Sequence, residues 1–198
     1  MTDAGRHPNI TLLTLSEIKE ITGFVGNFHV RVLKRARYVS DKDCTACGDC
    51  AAVCPVVCPD EFNMGLSSRK AIYSPFPQAV PSAYTVDIEH CLGHDPIICG
   101  KCVEKCQRKC IDFTMNDEEL TFDMGTIIVA TGTQTFDPSA LDEYGYARHE
   151  NVVTSMEFER LINAGGPTNG SGAVLELMAD IATALSEGRA LTETETLR

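Results

Sequence analysis

Cys44-Thr45-Ala46-Cys47-Gly48-Asp49-Cys50-Ala51-Ala52-Val53-Cys54-Pro55 is the stretch on which the reading of this chain turns. Its spacing is C-x2-C-x2-C-x3-C-P. Three thiols so close on one tight loop can wrap a corner of a cubic iron–sulfur cluster, while the fourth, a helical turn further on, points away toward a second cluster. A structural zinc site uses two pairs of ligands and has no need of a third cysteine at this spacing. Thr45, Ala46 and Gly48 are small enough to let backbone amides approach the cluster sulfurs.

If the pattern is that of a two-cluster module, a second block must exist. Shifting the sequence by 52 places superposes Cys47, Gly48, Cys50, Cys54 and Cys58 on Cys99, Gly100, Cys102, Cys106 and Cys110. The partner of Cys44 would be Pro96, so the missing thiol is assigned to Cys91, reached through a loop of seven residues before Cys99. The sequence therefore predicts one cluster on Cys44, Cys47, Cys50 and Cys106, and another on Cys91, Cys99, Cys102 and Cys54. Cys58 and Cys110 remain over. They read as small buried hydrophobes, with Cys110 in reserve as a ligand. Gln107 stands where a proline commonly follows the fourth cysteine.

Working outward, all ten cysteines lie between Cys44 and Cys110, and the 198-residue chain has none on either side. No export signal opens the sequence and no apolar run nears the ~20 residues of a membrane span. A cytoplasmic setting, where thiols stay reduced and clustered cysteines bind metal, is expected. The net charge is −11, and residues 111–198 carry 4 Lys/Arg against 16 Asp/Glu. Such a chain repels nucleic acid. The basic run from Arg31 to Arg37 alternates with apolar residues and reads as the wet face of a strand. Lys101, Lys105, Arg108 and Lys109 either offset the charge of the second cluster or are simply solvated.

Outside the cysteines, Asn9–Leu15, Glu17–Phe24 and Phe28–Ala36 read as strands, the last two joined at Val25-Gly26-Asn27. Residues 72–81 carry three prolines and exclude regular helix or a central strand. Thr126–Ala130 (TIIVA) reads as a buried strand leading into a Thr131-Gly132 turn. Thr154-x-x-Glu157 is a capping box opening a helix that should end at Gly165. A glycine-rich linker follows, then an amphipathic helix from Val174 to Leu185 and a polar, frayed tail.

The runs DCTACGDCAAVCPVV, RKAIYSPFPQAVP, CGKCVEKC and IIVATG, in this order, resemble the family of heterodisulfide reductase A subunits over about residues 9–170. The resemblance implies an α+β chain in which a ferredoxin-like module with two [4Fe-4S] clusters is inserted into a thioredoxin-reductase-like FAD domain. The corresponding divisions are 1–37, part of the FAD domain; 38–113, the cluster insertion; 114–170, continuation of the FAD domain; and 171–198, linker, helix and tail. It also implies that Ala130, Thr131 and Gly132 pass near the FAD pyrophosphate. The Gly-rich βαβ fingerprint of a flavin site is missing, so the flavin domain reads as incomplete, with the cysteine-free flanks as its cut edges.

By the same resemblance, the chain is expected to relay electrons in an oxidoreductase complex of methanogens and other anaerobes. That complex reduces the CoM-S-S-CoB disulfide, in some cases by flavin-based bifurcation. Its partners would be other heterodisulfide reductase subunits, hydrogenase or formate dehydrogenase-type donors, and ferredoxin. No residue is singled out as catalytic. The competing readings are a structural zinc-binding interaction module and a non-functional truncated fragment.

Overall fold

The computed structural model describes residues 2–93, 98–149 and 152–170. They fall into two compact units, Met1–Cys58 with Arg69–Thr131, and Pro59–Ser68 with Gly132–Arg198. In chain order the regular elements are α1 (Thr2–Arg6), β1 (Ser16–Phe24), β2 (Asn27–Lys34), α2 (Asp49–Ala52), β3 (Cys58–Pro59), β4 (Ser68–Arg69), β5 (Ile72–Tyr73), β6 (Thr85–Val86), α3 (Lys101–Lys105), β7 (Glu118–Met124) and α4 (Ser155–Ile162), with three short 3-10 turns between them. This is a small mixed fold of sheets and short helices, compatible with an α+β class.

In the first unit, β1, β2 and β7 form an antiparallel sheet with β2 in the middle. The alternation of Phe28, Val30 and Val32 sets one face of β2. Val30 stands opposite Ile21 and Phe122, and Val32 opposite Ile18 and Leu120. Ile18 and Ile21 are an odd number of residues apart and would lie on opposite faces of a regular strand. A register shift between Ile18 and Glu20 brings both opposite the valines, the usual effect of one extra residue in a strand. Val30 and Val32 are buried. Cross-strand side-chain contacts tie the strands as well: a hydrogen bond between His29 Nδ1 and Asp123 Oδ1 at 2.6 Å and an ion pair of Arg31 with Glu20 at 3.0 Å.

The two predicted central strands are thus present as β1 and β2. β2 ends at Lys34 because the next backbone donors leave the ladder. Arg35 N–H donates to the Leu15 carbonyl, and Ala36 N–H to Asp117 Oδ1 at 2.8 Å. Two other predicted strands do not form. Asn9–Leu15 runs as turn and coil. Thr126–Ala130 is coil too, with Ile128 89% and Val129 77% exposed. An apolar run of that kind forms a buried strand only between neighbours that accept its backbone bonds, and among the described residues no strand pairs with it. In contrast β7 exists where no strand is predicted.

The cysteine region leaves the sheet at Lys34 and returns at Glu118, and those two residues are register partners. It is an excursion between adjacent antiparallel strands. Its neck is closed by Ser40 N–H to the Cys110 carbonyl, Asp112 N–H to the Tyr38 carbonyl, and a stack of Tyr38 on Phe113 with ring centroids 6.0 Å apart. Inside it, β5 pairs with β6, and Val39, Cys50, Ile72, Val86, Cys110 and Ile111 form the buried core. After Tyr73 the proline-rich stretch is irregular, as its composition requires.

In the second unit, the capping box opens α4 as the sequence predicts. Glu157 N–H donates to Thr154 Oγ1, and Thr154 N–H to Glu157 Oε2. The helix stops at Ile162, ahead of the expected Gly165, because Asn163 turns extended at ψ 135°. Arg160, 8% exposed, donates Nε–H to Asn63 Oδ1 at 3.0 Å and lies over the Phe62 ring. The predicted helix after Val174 and the polar tail lie outside the described residues. Among the described residues no helix is long and apolar enough to cross a membrane.

Candidate metal centres

The loop before α2 turns its thiols to one side by placing Ala46 and Gly48 in the left-handed region, at φ 54° and 89°. At Gly48 that conformation favours glycine, and a Cβ would also stand 3.4 Å from the Tyr84 hydroxyl. Ala46 N–H donates to Cys44 Sγ at 3.5 Å. Cys50 lies buried on α2, while Cys54 comes just after the helix has ended. On the other block Cys102 is carried by α3, and Cys106 is its C-cap.

Two cavities result. The first, of about 130 Å3, is lined by Cys44, Cys47, Cys50 and Cys106, with Cys110 as a fifth thiol and Val39, Tyr84 and Ile111 among its walls. The second is narrower, about 20 Å3, and is lined by Cys54, Cys91, Cys99 and Cys102 against Ile72, Val86 and Leu92. Each quartet draws three thiols from one block and one from the other. The eight cysteines singled out in the sequence each line one of the two cavities, and Cys110 lines the first with them. Residues 94–97, within the loop between Cys91 and Cys99, lie outside the described residues.

The electrostatics differ from thiol to thiol. Burial, reinforced by the neighbouring Cys44 and Cys47 sulfurs, pushes the Cys50 thiol up to about 12. Burial also raises Cys91 and Cys102. At Cys106 burial pulls upward too, but hydrogen bonding from the backbone of Cys110, Arg108 and Lys109 and from the Cys110 side chain brings the thiol below its ordinary value. Burial and the adjacent Cys106 sulfur, 3.5 Å away, push Cys110 up to about 12. A thiolate at Cys106 is thus favoured and one at Cys110 is not.

Soft thiolate quartets select iron–sulfur clusters, zinc or Cu(I). A four-thiolate zinc ion, with Zn–S near 2.3 Å, holds its sulfurs about 3.8 Å apart. Among the described residues, no three of the eight sulfurs lie within 4.8 Å of one another. The four thiols at each cavity are a donor set that fits an iron–sulfur cluster or a zinc ion. Lys101, Lys105, Arg108 and Lys109 are exposed; Arg108 borders the first cavity and donates Nε–H to the Asp43 carbonyl at 3.3 Å, and Lys101 borders the second.

The Cys58 position holds a side-chain cluster that the sequence does not announce. Arg69, its side chain 8% exposed, donates to Cys58 Sγ at 3.2 Å and to Asp87 Oδ2 at 2.8 Å, and His90 Nδ1 lies 2.8 Å from the same carboxylate oxygen. Burial raises Asp87, but the hydrogen bonds from Arg69 and His90 and the Arg69 charge outweigh it and hold the carboxyl below its ordinary value. Ala130, Thr131 and Gly132 are exposed, and Gly132 leads into coil rather than a helix N-terminus. Anionic pyrophosphate is held at such a terminus, so these three residues do not fit a dinucleotide cradle.

Over 170 residues, 86% of its length, the chain is 48% identical to the CoB–CoM heterodisulfide reductase iron-sulfur A subunit of Methanocaldococcus jannaschii. This chain is homologous to part of the heterodisulfide reductase A subunit. It is 51% identical over the same length to the A subunit numbered 1 of Methanopyrus kandleri. Over 171 residues it is 44% identical to the A subunit of the ferredoxin/F420H2-dependent heterodisulfide reductase of Methanosarcina acetivorans. The matches cover 25%, 25% and 21% of those proteins, so the chain spans about a quarter or less of the curated relatives' length. No protein-family model matches the chain.

Proposed function

We propose that this segment of a heterodisulfide reductase A subunit is an electron relay, holding one [4Fe-4S] cluster on Cys44, Cys47, Cys50 and Cys106 and another on Cys54, Cys91, Cys99 and Cys102. The observation that carries the reading is the crossing of the two quartets. α2 has Cys50 facing one cavity and Cys54, just beyond its end, facing the other, so a single short helix links the two centres. Each cluster supplies a one-electron redox step when bound. The chain's own part is to hold thiolates, exclude water with Val39, Tyr84, Ile72 and Val86, and direct amides at Cys44 and Cys106.

In this reading the cysteine excursion is a ferredoxin-like insertion, and the surrounding strands belong to a flavin domain. The complex would work in the cytoplasm and deliver two electrons and two protons to the disulfide between coenzymes M and B, releasing two thiols. Relatives are named as H2:CoB-CoM heterodisulfide, ferredoxin reductase and H2/formate:CoB-CoM heterodisulfide, ferredoxin reductase subunits. Hydrogenase or formate-oxidising donors, ferredoxin and the other reductase subunits are therefore the proposed partners. The chain carries no proposed disulfide-cleaving residue.

Anaerobic reconstitution of the full chain, with metal analysis and electron paramagnetic resonance after reduction, tests this. About eight irons and eight sulfides per chain, and a reducible paramagnetic signal, are expected. A colourless protein carrying zinc and giving no signal would overturn it in favour of a structural zinc module.

A further inference from the structure

Cys91 is the irregular member of the second quartet. It lies outside the C-x2-C-x2-C frame and is reached by its own loop, so something other than loop spacing must hold it in place. That something is Asp87. Its backbone carbonyl accepts the Cys91 N–H at 3.0 Å, and its Oδ1 accepts the His90 N–H at 3.3 Å. Its own N–H donates to the Ala71 carbonyl at 2.7 Å. Residues 87–91 thus form a tight turn pinned at its first residue, with Cys91 at its end.

The pin is in turn held by Arg69. The guanidinium reaches Asp87 Oδ2, Cys58 Sγ and the Lys70 carbonyl, and lies over the Tyr73 ring 3.9 Å from its centroid. A planar fork can serve several acceptors and stack at once; an ammonium cannot. Cys58, unassigned by the cysteine pattern, is one of those acceptors. In the other repeat Cys110 instead packs against a ligand sulfur. Cys58, Asp87 and His90 have their donor atoms close enough together to suggest a divalent cation. Arg69 already supplies the positive charge there, through contacts to Cys58 and Asp87.

We infer that Arg69 is the positioning residue of the second centre, fixing Asp87 so that the 87–91 turn presents Cys91, and placing a desolvated positive charge at the base of that turn. The inference rests on the two-cluster reading above. An oxidised cluster with four thiolates carries a net charge of about −2. A buried guanidinium at the base of the turn favours the reduced, more negative state, whereas Asp87 opposes it.

The test uses the full chain in two single-cluster backgrounds, Cys47→Ala, which leaves the second cluster, and Cys99→Ala, which leaves the first. In each, Arg69→Gln, Arg69→Lys and Asp87→Asn are reconstituted, counted for iron and titrated by paramagnetic resonance. In the Cys47→Ala background, Arg69→Gln is expected to lose the cluster or shift its midpoint negative. Asp87→Asn, which keeps an oxygen for the His90 amide, is expected to shift it positive, and Arg69→Lys to stand nearer the parent than Arg69→Gln. The Cys99→Ala background is expected to show no shift. Opposite signs are what a charge beside the cluster produces and a merely structural role does not. Equal shifts in both backgrounds, or no positive shift with Asp87→Asn, would overturn the inference, and the latter decides even if Arg69→Gln fails to load iron. Failure of the wild-type chain to take up about eight irons would instead refute the reading underneath it.

Discussion

Ile72→Ala gives the sharpest test of how the cysteine excursion is held together. Ile72 is 2% exposed, pairs with Val86 across the β5–β6 ladder, and belongs both to the buried core and to the wall of the second cavity. The substitution removes three carbon groups at about 0.8 kcal/mol each. The space left behind adds to that, giving a total of about 3–4 kcal/mol, within the range found for such truncations. The reporters are two amides beside the side chain, Val86 N–H bonded to the Arg37 carbonyl and Asp87 N–H bonded to the Ala71 carbonyl. Hydrogen exchange on the reconstituted chain reads their opening without unfolding the metal centres. At about 1.4 kcal/mol per decade, protection should fall roughly 100-fold or more. Ile72→Val should cost only about 1 kcal/mol, a fall of roughly five-fold. A change of less than about three-fold for Ile72→Ala would refute the claim that this side chain ties the ladder to the core.

Three further outcomes follow from single contacts. Arg160→Met should open α4 in the second unit by about 2–4 kcal/mol, read by exchange of the helix amides, because it strands Asn63 Oδ1 and removes the stack on Phe62; Arg160→Lys should recover part of this. In the metal-free chain at pH 8, alkylation mapped by mass spectrometry should label exposed Cys47 well before Cys50, whose thiol, pushed up to about 12, leaves roughly one part in ten thousand as thiolate. Asp87 has a depressed folded-state value, so its stabilisation is complete above the unfolded carboxyl value near 4 and is lost as pH falls through the lower folded value. An acid titration followed by circular dichroism should therefore show a shallower loss below pH about 4 in Asp87→Asn, and an identical limb would count against the Arg69–Asp87 pair.

The parts of this molecule legible in the sequence are those governed by short-range rules. The approach of the two cysteine blocks to shared cavities is in line with the cysteine spacing and its 52-residue repeat, the β1–β2 hairpin follows from alternation, and the start of α4 from Thr154 and Glu157. β7 is missed, because the acidic residues in Glu118–Met124 mask the alternation of Leu120, Phe122 and Met124. It is stabilised by strand partners some ninety residues away, Val30 and Val32 among them. The same dependence on distant partners works in reverse at Asn9–Leu15 and Thr126–Ala130, whose apolar β-branched residues suit a strand that nothing among the described residues completes. Arg69 shows a different blindness. Nothing in its neighbours says that it is buried, because its burial is made by Tyr73, Asp87 and Cys58, brought together only by the fold.

The central claim is that each cluster takes ligands from both cysteine blocks, and pairs of substitutions decide it by iron content alone. Cys54→Ala with Cys99→Ala removes two ligands of one proposed cluster and should leave about four irons per chain, whereas Cys54→Ala with Cys47→Ala strikes both clusters and should leave close to none. The reverse result, four irons with Cys54 and Cys47 removed and none with Cys54 and Cys99 removed, would mean that each block binds its own cluster and would contradict the account.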